Sequence, residues 1–315
     1  MWLEFFLVLV GFALLVYGGD VLVDNASDIA RYFGLSELVI GLTIVAFGTS
    51  APELMVSLSA SFRGLNDFIF GNIFGSNVLN IFLGLGIAGI FLPLKVKKST
   101  VKFEIPFLVS ITLICTLLLN DQFFDHHENI LSLRDGLILL ILFLVFMIYT
   151  YRLTKFEDDV EHEEKPDNII KPIGMFLVGC VFLKFGSDFV VENAEIIGKA
   201  FNVSDAIMGL TVLALGTSLP ELVVSISAVK KGKTDIAIGG MVGSNIFNIL
   251  LVLGISAIVS PIPYSINLNQ DLLVVNLAGM LLLAFIFFGR SQLLSRRSSI
   301  SFLLIYVLYA GYRFI

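Results

Sequence analysis

Charge is scarce in this chain of 315 residues. Only 15% of them are Asp, Glu, Lys or Arg, against about 25% in an ordinary soluble domain. Hydrophobic residues make up 57%, and the mean hydropathy is +0.94. This balance excludes a soluble globular protein and places the chain in a lipid bilayer. No long basic run is present, which argues against a nucleic-acid partner, and the net charge of -6 resides mostly in short loops. Histidine is almost absent. His126, His127 and His162 all fall between apolar segments, so none is placed for a soft-metal site within the membrane or for a Ser/His/Asp catalytic set. The two cysteines, Cys115 and Cys180, lie in separate apolar segments without CxxC spacing. They support neither a disulfide framework nor a thiolate metal site and read as packing residues. There is no glycine-rich phosphate loop and no soluble domain, and neither enzyme activity nor a cofactor is expected. The first apolar run carries Glu4 and no Lys or Arg ahead of it, unlike a signal peptide, and reads as a retained span.

What is present is a stretch that an ordinary apolar helix would avoid. Residues 41–60, GLTIVAFGTSAPELMVSLSA, carry Glu53 in the middle of a membrane-length run. A charge at the centre of a bilayer costs about 2.5 to 3.5 kcal/mol on insertion scales, so Glu53 is a functional candidate. Gly48 and Pro52 bracket Thr49 and Ser50. That pattern predicts two half-helices joined by an unwound step with free carbonyls and hydroxyls. The stretch recurs as residues 209–228, GLTVLALGTSLPELVVSISA, identical at 14 of 20 positions. The offset of 168 that relates Glu53 to Glu221 also relates Ser76 to Ser244, Asn80 to Asn248 and Asp20 to Asp188. Paired broken apolar segments at matching positions of two halves point to a transporter's central site.

Windows of about 20 apolar residues predict spans at 3–19, 36–60, 67–92, 103–119, 133–151, 170–186, 204–228, 235–259, 271–289 and 300–314. The predicted fold is an all-α membrane protein of ten transmembrane helices in two five-helix repeats, 1–151 and 170–315, joined by a linker at 152–169. Five spans per repeat invert the second copy relative to the first. Basic residues agree with this count. Most lie in connections after odd-numbered spans, whereas the opposite side holds only Arg63, Arg134, Lys199 and Arg313. The positive-inside rule then places both termini outside the cytoplasm of a cell or inner membrane. The acidic linker, EDDVEHEEKPDN, reads as a solvated cytoplasmic connector. The outer-loop residues Asp125, His126, His127 and Glu128 read as loop polarity, because adjacent histidines do not converge on one ion. Asp20 and Asp188 read as interfacial caps beside glycines, with a place on an ion path as the alternative.

Each repeat adds a polar segment in its third span, GNIFGSNVLNIFLGLG and GGMVGSNIFNILLVLG. Ser76 and Asn80 are four residues apart and share a helix face, as do Ser244 and Asn248, while Asn77 and Asn245 are expected to point elsewhere. A pseudo-two-fold axis would gather Glu53, Glu221, Asn80, Asn248 and the hydroxyls of Thr49, Ser50, Ser76, Thr217, Ser218 and Ser244. Carbonyls at the breaks, around Ala46 and Ala214, would complete the set. All are hard oxygen ligands of the kind Ca2+ takes six to eight at a time. Two carboxylates are balanced by one divalent ion or by monovalent ions at neighbouring sites, which is a physical basis for exchange. Buried Ser, Thr and Asn also serve as plain interhelical glue. Coupling to Na+ or to H+, a passive cation channel and an intramembrane hydrolase all remain as functional readings of these residues.

The motifs resemble those of the Ca2+/cation antiporter superfamily, marked by a Gly-Thr-Ser-x-Pro-Glu step followed by Gly-Ser-Asn-x-x-Asn/Asp. Here they stand at 48–53 with 75–80 and at 216–221 with 243–248. The resemblance implies an alternating-access antiporter that takes Ca2+ and Na+ as substrates; the chain is expected to function as a monomer. It implies Ca2+ between Glu53 and Glu221, aided by the carbonyls of Thr49 and Thr217. Sodium sites would share the glutamates and draw on Ser50, Ser76, Ser218, Ser244, Ala46 and Ala214. Proton-coupled relatives carry Gly-Asn-x-x-Glu, so the Thr-Ser step is similar to that of the sodium-coupled branch. Potassium-dependent relatives usually carry Asp where this chain has Asn248, which weighs against potassium cotransport. The regulatory domain of animal exchangers has no counterpart in the short linker.

Overall fold

A computed structural model describes residues 2–122, 129–153, 166, 168–201, 214–289 and 292–313. In its first half α1 (Trp2–Phe33), α2 (Glu37–Phe62), α3 (Asn66–Phe91), α4 (Lys98–Leu118) and α5 (Leu133–Leu153) follow one another. The second half holds α6 (Ile170–Ala200), α7 (Ala214–Lys230), α8 (Thr234–Val259), α9 (Ile266–Phe287) and α10 (Arg296–Arg313). Among the described residues, all but α7 and α10 are long and apolar enough to cross a membrane, giving eight candidate spans where the sequence predicts ten. The shortfall has local causes. Only 17 residues of α7 are described, and α10 carries Arg296, Arg297 and Arg313 at its ends. The loop residues 125–128 and the acidic run of the linker lie outside the described residues.

Local chemistry sets the helix ends. Ser36 caps α2 by accepting the Val39 N–H at 3.3 Å. Gly64 and Gly232, related by the repeat offset, take the left-handed φ values of +68° and +76° that end α2 and α7. Large apolar side chains face outward, and polar groups are buried within an otherwise apolar core. Trp2, Leu144, Phe185 and Leu308 are exposed, whereas Glu53, Asn80, Ser76 and Asn248 are buried. This is the arrangement expected where the surrounding solvent is hydrocarbon.

Two features bring the halves together. Helices α1 and α6 pack antiparallel, with Gly11 against Gly186 and Gly18 against Gly179; a Cβ at Gly11 would stand 2.8 Å from the Gly186 carbonyl oxygen. Small residues allow this close approach. Two short antiparallel ribbons each take one strand from either half. Leu94–Lys95 (β1) pairs with Leu293–Leu294 (β4), and Ile130–Leu131 (β2) pairs with Ile262–Pro263 (β3).

The unwound step expected at Thr49 and Ser50 is not observed. Helix α2 runs on through both residues with Pro52 inside it, and α7 does the same past Thr217, Ser218 and Pro220. The irregularity lies one turn earlier, where residues Gly41–Val45 are π-helical. Proline withholds only its own N–H, so each repeat loses the single bond that would close on Gly48 or Gly216 rather than a whole turn. In α7 the Gly216 carbonyl accepts the Ser187 hydroxyl of α6 instead. Nor do Asp20 and Asp188 cap helices. The helices run on to Phe33 and Ala200 because Leu22, Val23, Ala26, Ile29 and Ala30 continue the buried face of α1 past its apolar run. Asp20 accepts from Ser227, and Lys231 reaches Asp20 at 3.6 Å and Asp24 at 2.8 Å, while Lys233 donates to Ser27 at 2.6 Å. The end of α7 and the turn into α8 thereby clasp α1 over about two turns. Asp188 pairs with Lys184 of its own helix at 2.5 Å.

Candidate ion-binding site

Glu53 and Glu221 sit on α2 and α7 at 0% and 2% exposure. Hydroxyls from both halves surround each of them. Ser76 and Thr217 flank Glu53, and Thr49, Ser50 and Ser244 flank Glu221. These hydroxyls form two repeat-related pairs, Thr49 Oγ1 to Ser244 Oγ and Ser76 Oγ to Thr217 Oγ1, both at 3.3 Å. Each pair joins the second helix of one half to the third of the other. Asn72 supports the second pair by accepting from Thr217 Oγ1 at 3.2 Å while its amide donates to Ser57 Oγ at 3.1 Å. Position 240, the counterpart of Asn72, is glycine, so this support exists once.

The ligand candidates are therefore one contiguous buried cluster, with a narrow cavity beside it where Ser218 and Asn80 meet Leu79, Leu83, Gly84 and Leu222. Asn80 and Asn248 lie in the π-helical segments Leu79–Leu85 and Asn248–Val252. Such segments often accompany functional sites. The Ala46 carbonyl accepts the Thr49 hydroxyl at 3.3 Å within a wound helix, so it is not freed by a break. Ala214 begins α7 as described. Asn77 and Asn245, expected to point elsewhere, instead reach each other across the centre, each amide donating to the other residue's backbone carbonyl at 3.4 and 3.1 Å. In the sequence they are marked by their recurrence at the repeat offset and by their place as the first asparagine of the Gly-Ser-Asn step.

Several buried oxygens here have no hydrogen-bond partner among the described residues: both of Glu53, Oε2 of Glu221, Oδ1 of Asn248 and Oγ of Ser218. Buried polar groups ordinarily find partners, and a carboxylate without one is costly. An oxygen-only set of this kind suits a hard cation. Among the described residues no group of three or more His, Cys, Asp or Glu side chains gathers as a metal site; the polar groups around the two glutamates are hydroxyls and amides.

Two like halves folded around buried carboxylates and an oxygen-lined centre, within a lipid-facing helical body, define an integral membrane ion transporter. A family model for the sodium/calcium exchanger protein matches residues 3–152 and 171–315, and the chain belongs to that family, an antiporter of the Ca2+/cation antiporter superfamily. It is 41% identical over 259 residues to CaxA of Alkalimonas amylolytica, covering 81% of this chain and 80% of that protein. It is 30% identical over 296 residues to the sodium/calcium exchanger MaX1 of Methanosarcina acetivorans, covering 82% and 84%. The solved structure of the sodium-calcium exchanger NCX_Mj superposes with a TM-score of 0.85 at 30% identity over 98% of both chains.

Proposed function

We propose that this protein exchanges Na+ for Ca2+ by alternating access, with the ions held at the midplane between Glu53 and Glu221. Thr49, Thr217, Ser50, Ser218, Ser76, Ser244, Asn80 and Asn248, together with carbonyls near Ala46 and Ala214, supply the other oxygens. The observation that carries this reading is the pair of buried glutamates whose oxygens are mostly unpartnered, set among oxygen ligands from both halves. An ion bound there offsets the charge, and a carrier whose site is comfortable only when filled exchanges one ion for another rather than leaking. The architecture proposed is ten spans in two inverted repeats, 1–151 and 170–315, joined by a cytoplasmic linker at 152–169. The antiparallel packing of α1 on α6 and the reciprocal hydroxyl pairs support it, because both are what a two-fold axis in the membrane plane produces. The protein then works as a monomer in a cell or inner membrane, with both termini on the non-cytoplasmic side and no cofactor beyond the ions carried.

Calcium-45 uptake into Na+-loaded proteoliposomes tests the coupling. Uptake that requires internal Na+ is the expected result. Uptake driven by a pH gradient without Na+ assigns the coupling ion to the proton, and uptake without any counter-gradient overturns exchange in favour of a passive channel.

A further inference from the structure

Asn77, Asn80, Asn245 and Asn248 form a crossed tie at the centre of the molecule, none of them more than 1% exposed. The nitrogen of Asn245 is committed to the backbone carbonyl of Asn77 at 3.1 Å, and that of Asn77 to the carbonyl of Asn245 at 3.4 Å. With its nitrogen fixed, each of these amides turns its oxygen to a neighbour. Asn77 Oδ1 accepts from Asn248 Nδ2 at 3.1 Å, and Asn245 Oδ1 accepts from Asn80 Nδ2 at 2.9 Å. The order is crossed, since Asn77 shares a helix with Asn80 yet serves Asn248.

An amide that binds a cation must present oxygen, and a half-turn about its last bond would present an NH2 group that repels the ion. Asn80 and Asn248 are held against that half-turn because their nitrogens already donate to an acceptor that is itself anchored on backbone. The remaining oxygen of Asn248 is buried and unpartnered, in the same condition as the Glu53 oxygens and the Ser218 hydroxyl.

We infer that Asn77 and Asn245 are positioning residues of the ion site, each orienting the ligand amide contributed by the opposite repeat, Asn248 and Asn80 respectively. They set which atom is offered to the ion without touching it, as outer-shell partners of metal ligands do. The inference rests on the ion-site reading proposed above. Interhelical glue would make a different showing: loss of a glue residue lowers stability wherever it sits and has no preferred ligand partner.

A double-mutant cycle on the purified full-length protein separates the two, with Ca2+ binding read by calorimetry and stability by thermal melting. Asn77→Ala is expected to weaken Ca2+ binding about tenfold, the low end for losing an outer-shell partner. In an Asn248→Ala background the same change adds no more than about twofold, whereas in an Asn80→Ala background it acts in full. Asn245→Ala shows the mirror pattern, silent with Asn80→Ala and additive with Asn248→Ala. Should an alanine variant fail to fold, Asn77→Ser and Asn245→Ser are expected to give the same crossed pattern. Additivity in every background, or coupling along each helix between Asn77 and Asn80, overturns the inference. If wild-type protein binds Ca2+ and Glu53→Gln abolishes that binding while crossed coupling is absent, the ion site stands and only the positioning role falls. Wild-type protein that binds no Ca2+, or a Glu53→Gln variant that binds it normally, overturns both.

Discussion

Ser50 donates a hydrogen bond to Glu221 Oε1 at 3.3 Å, whereas among the described residues its repeat counterpart Ser218 has no partner and both Glu53 oxygens are unsatisfied. The two halves, alike in sequence, are thus unlike in the state of their serines. Ser50→Ala removes a bond that is made and is expected to lower stability by about 1 kcal/mol. Ser218→Ala removes a buried hydroxyl that pairs with none of the described residues, and is expected to leave the melting temperature unchanged or higher while weakening Na+ binding. Melting and Na+ titration of both variants check this, and equal losses of stability would show that the asymmetry has no energetic content.

Glu53→Gln and Glu221→Gln each replace a buried carboxylate by a neutral amide of the same shape. Both variants are expected to fold, to melt at or above the wild-type temperature in the absence of ions, and to lose exchange. Ca2+ should no longer raise their melting temperature, since a ligand stabilises only the state that binds it. Near-normal Ca2+ uptake by either variant would sink the assigned site.

Asn248→Asp puts an acceptor where Asn248 Nδ2 now donates to Asn77 Oδ1 at 3.1 Å, and adds a third acid beside the two glutamates. The expected cost is roughly 1 to 3 kcal/mol of stability, together with a changed preference among Na+, K+ and Ca2+. Uptake assays across the three ions read the second effect. An unchanged ion dependence would remove the weight placed on this position.

Gly243→Ala should separate α8 from α2. Its Cβ would meet the Ala46 Cβ and the Leu42 carbonyl oxygen at 2.8 Å, and overpacking of this kind costs roughly 1 to 3 kcal/mol. Gly71→Ala, on the same type of helix but facing open space, is expected to be neutral or stabilising. Melting temperatures that do not rank the two variants in that order would contradict the packing described.

The repeat made much of this legible. One constant offset marked the glutamates, the serines and the asparagines, and the structure gathers these side chains into one buried cluster. Local rules misled where the answer depended on the opposite half. Gly-Thr-Ser-x-Pro reads as a helix break, but the proline costs each helix a single bond, whose carbonyl in α7 is taken up by Ser187, and both helices stay wound. Asn77 lies one position off the face that Ser76 shares with Asn80, and its place at the centre shows only when Asn245 meets it across the axis. Asp20 lies where an apolar run stops, and nothing nearby in the sequence announces that Ser227 and Lys231 would meet it.

The two ribbons carry a consequence for biogenesis. Leu94 has its hydrogen-bonded partner in Leu294 and Leu131 in Ile262, so neither strand of the first half is complete when that half leaves the ribosome. Glu53 waits in the same way for Thr217 and Asn77 for Asn245. The early half must persist in the membrane with open strand edges and an uncovered acid until nearly the last helix arrives, a high-contact-order route that exposes it to aggregation and proteolysis. Its survival then depends on the speed of synthesis and on whatever shields nascent helices, a demand placed on the cell that the finished transporter no longer makes.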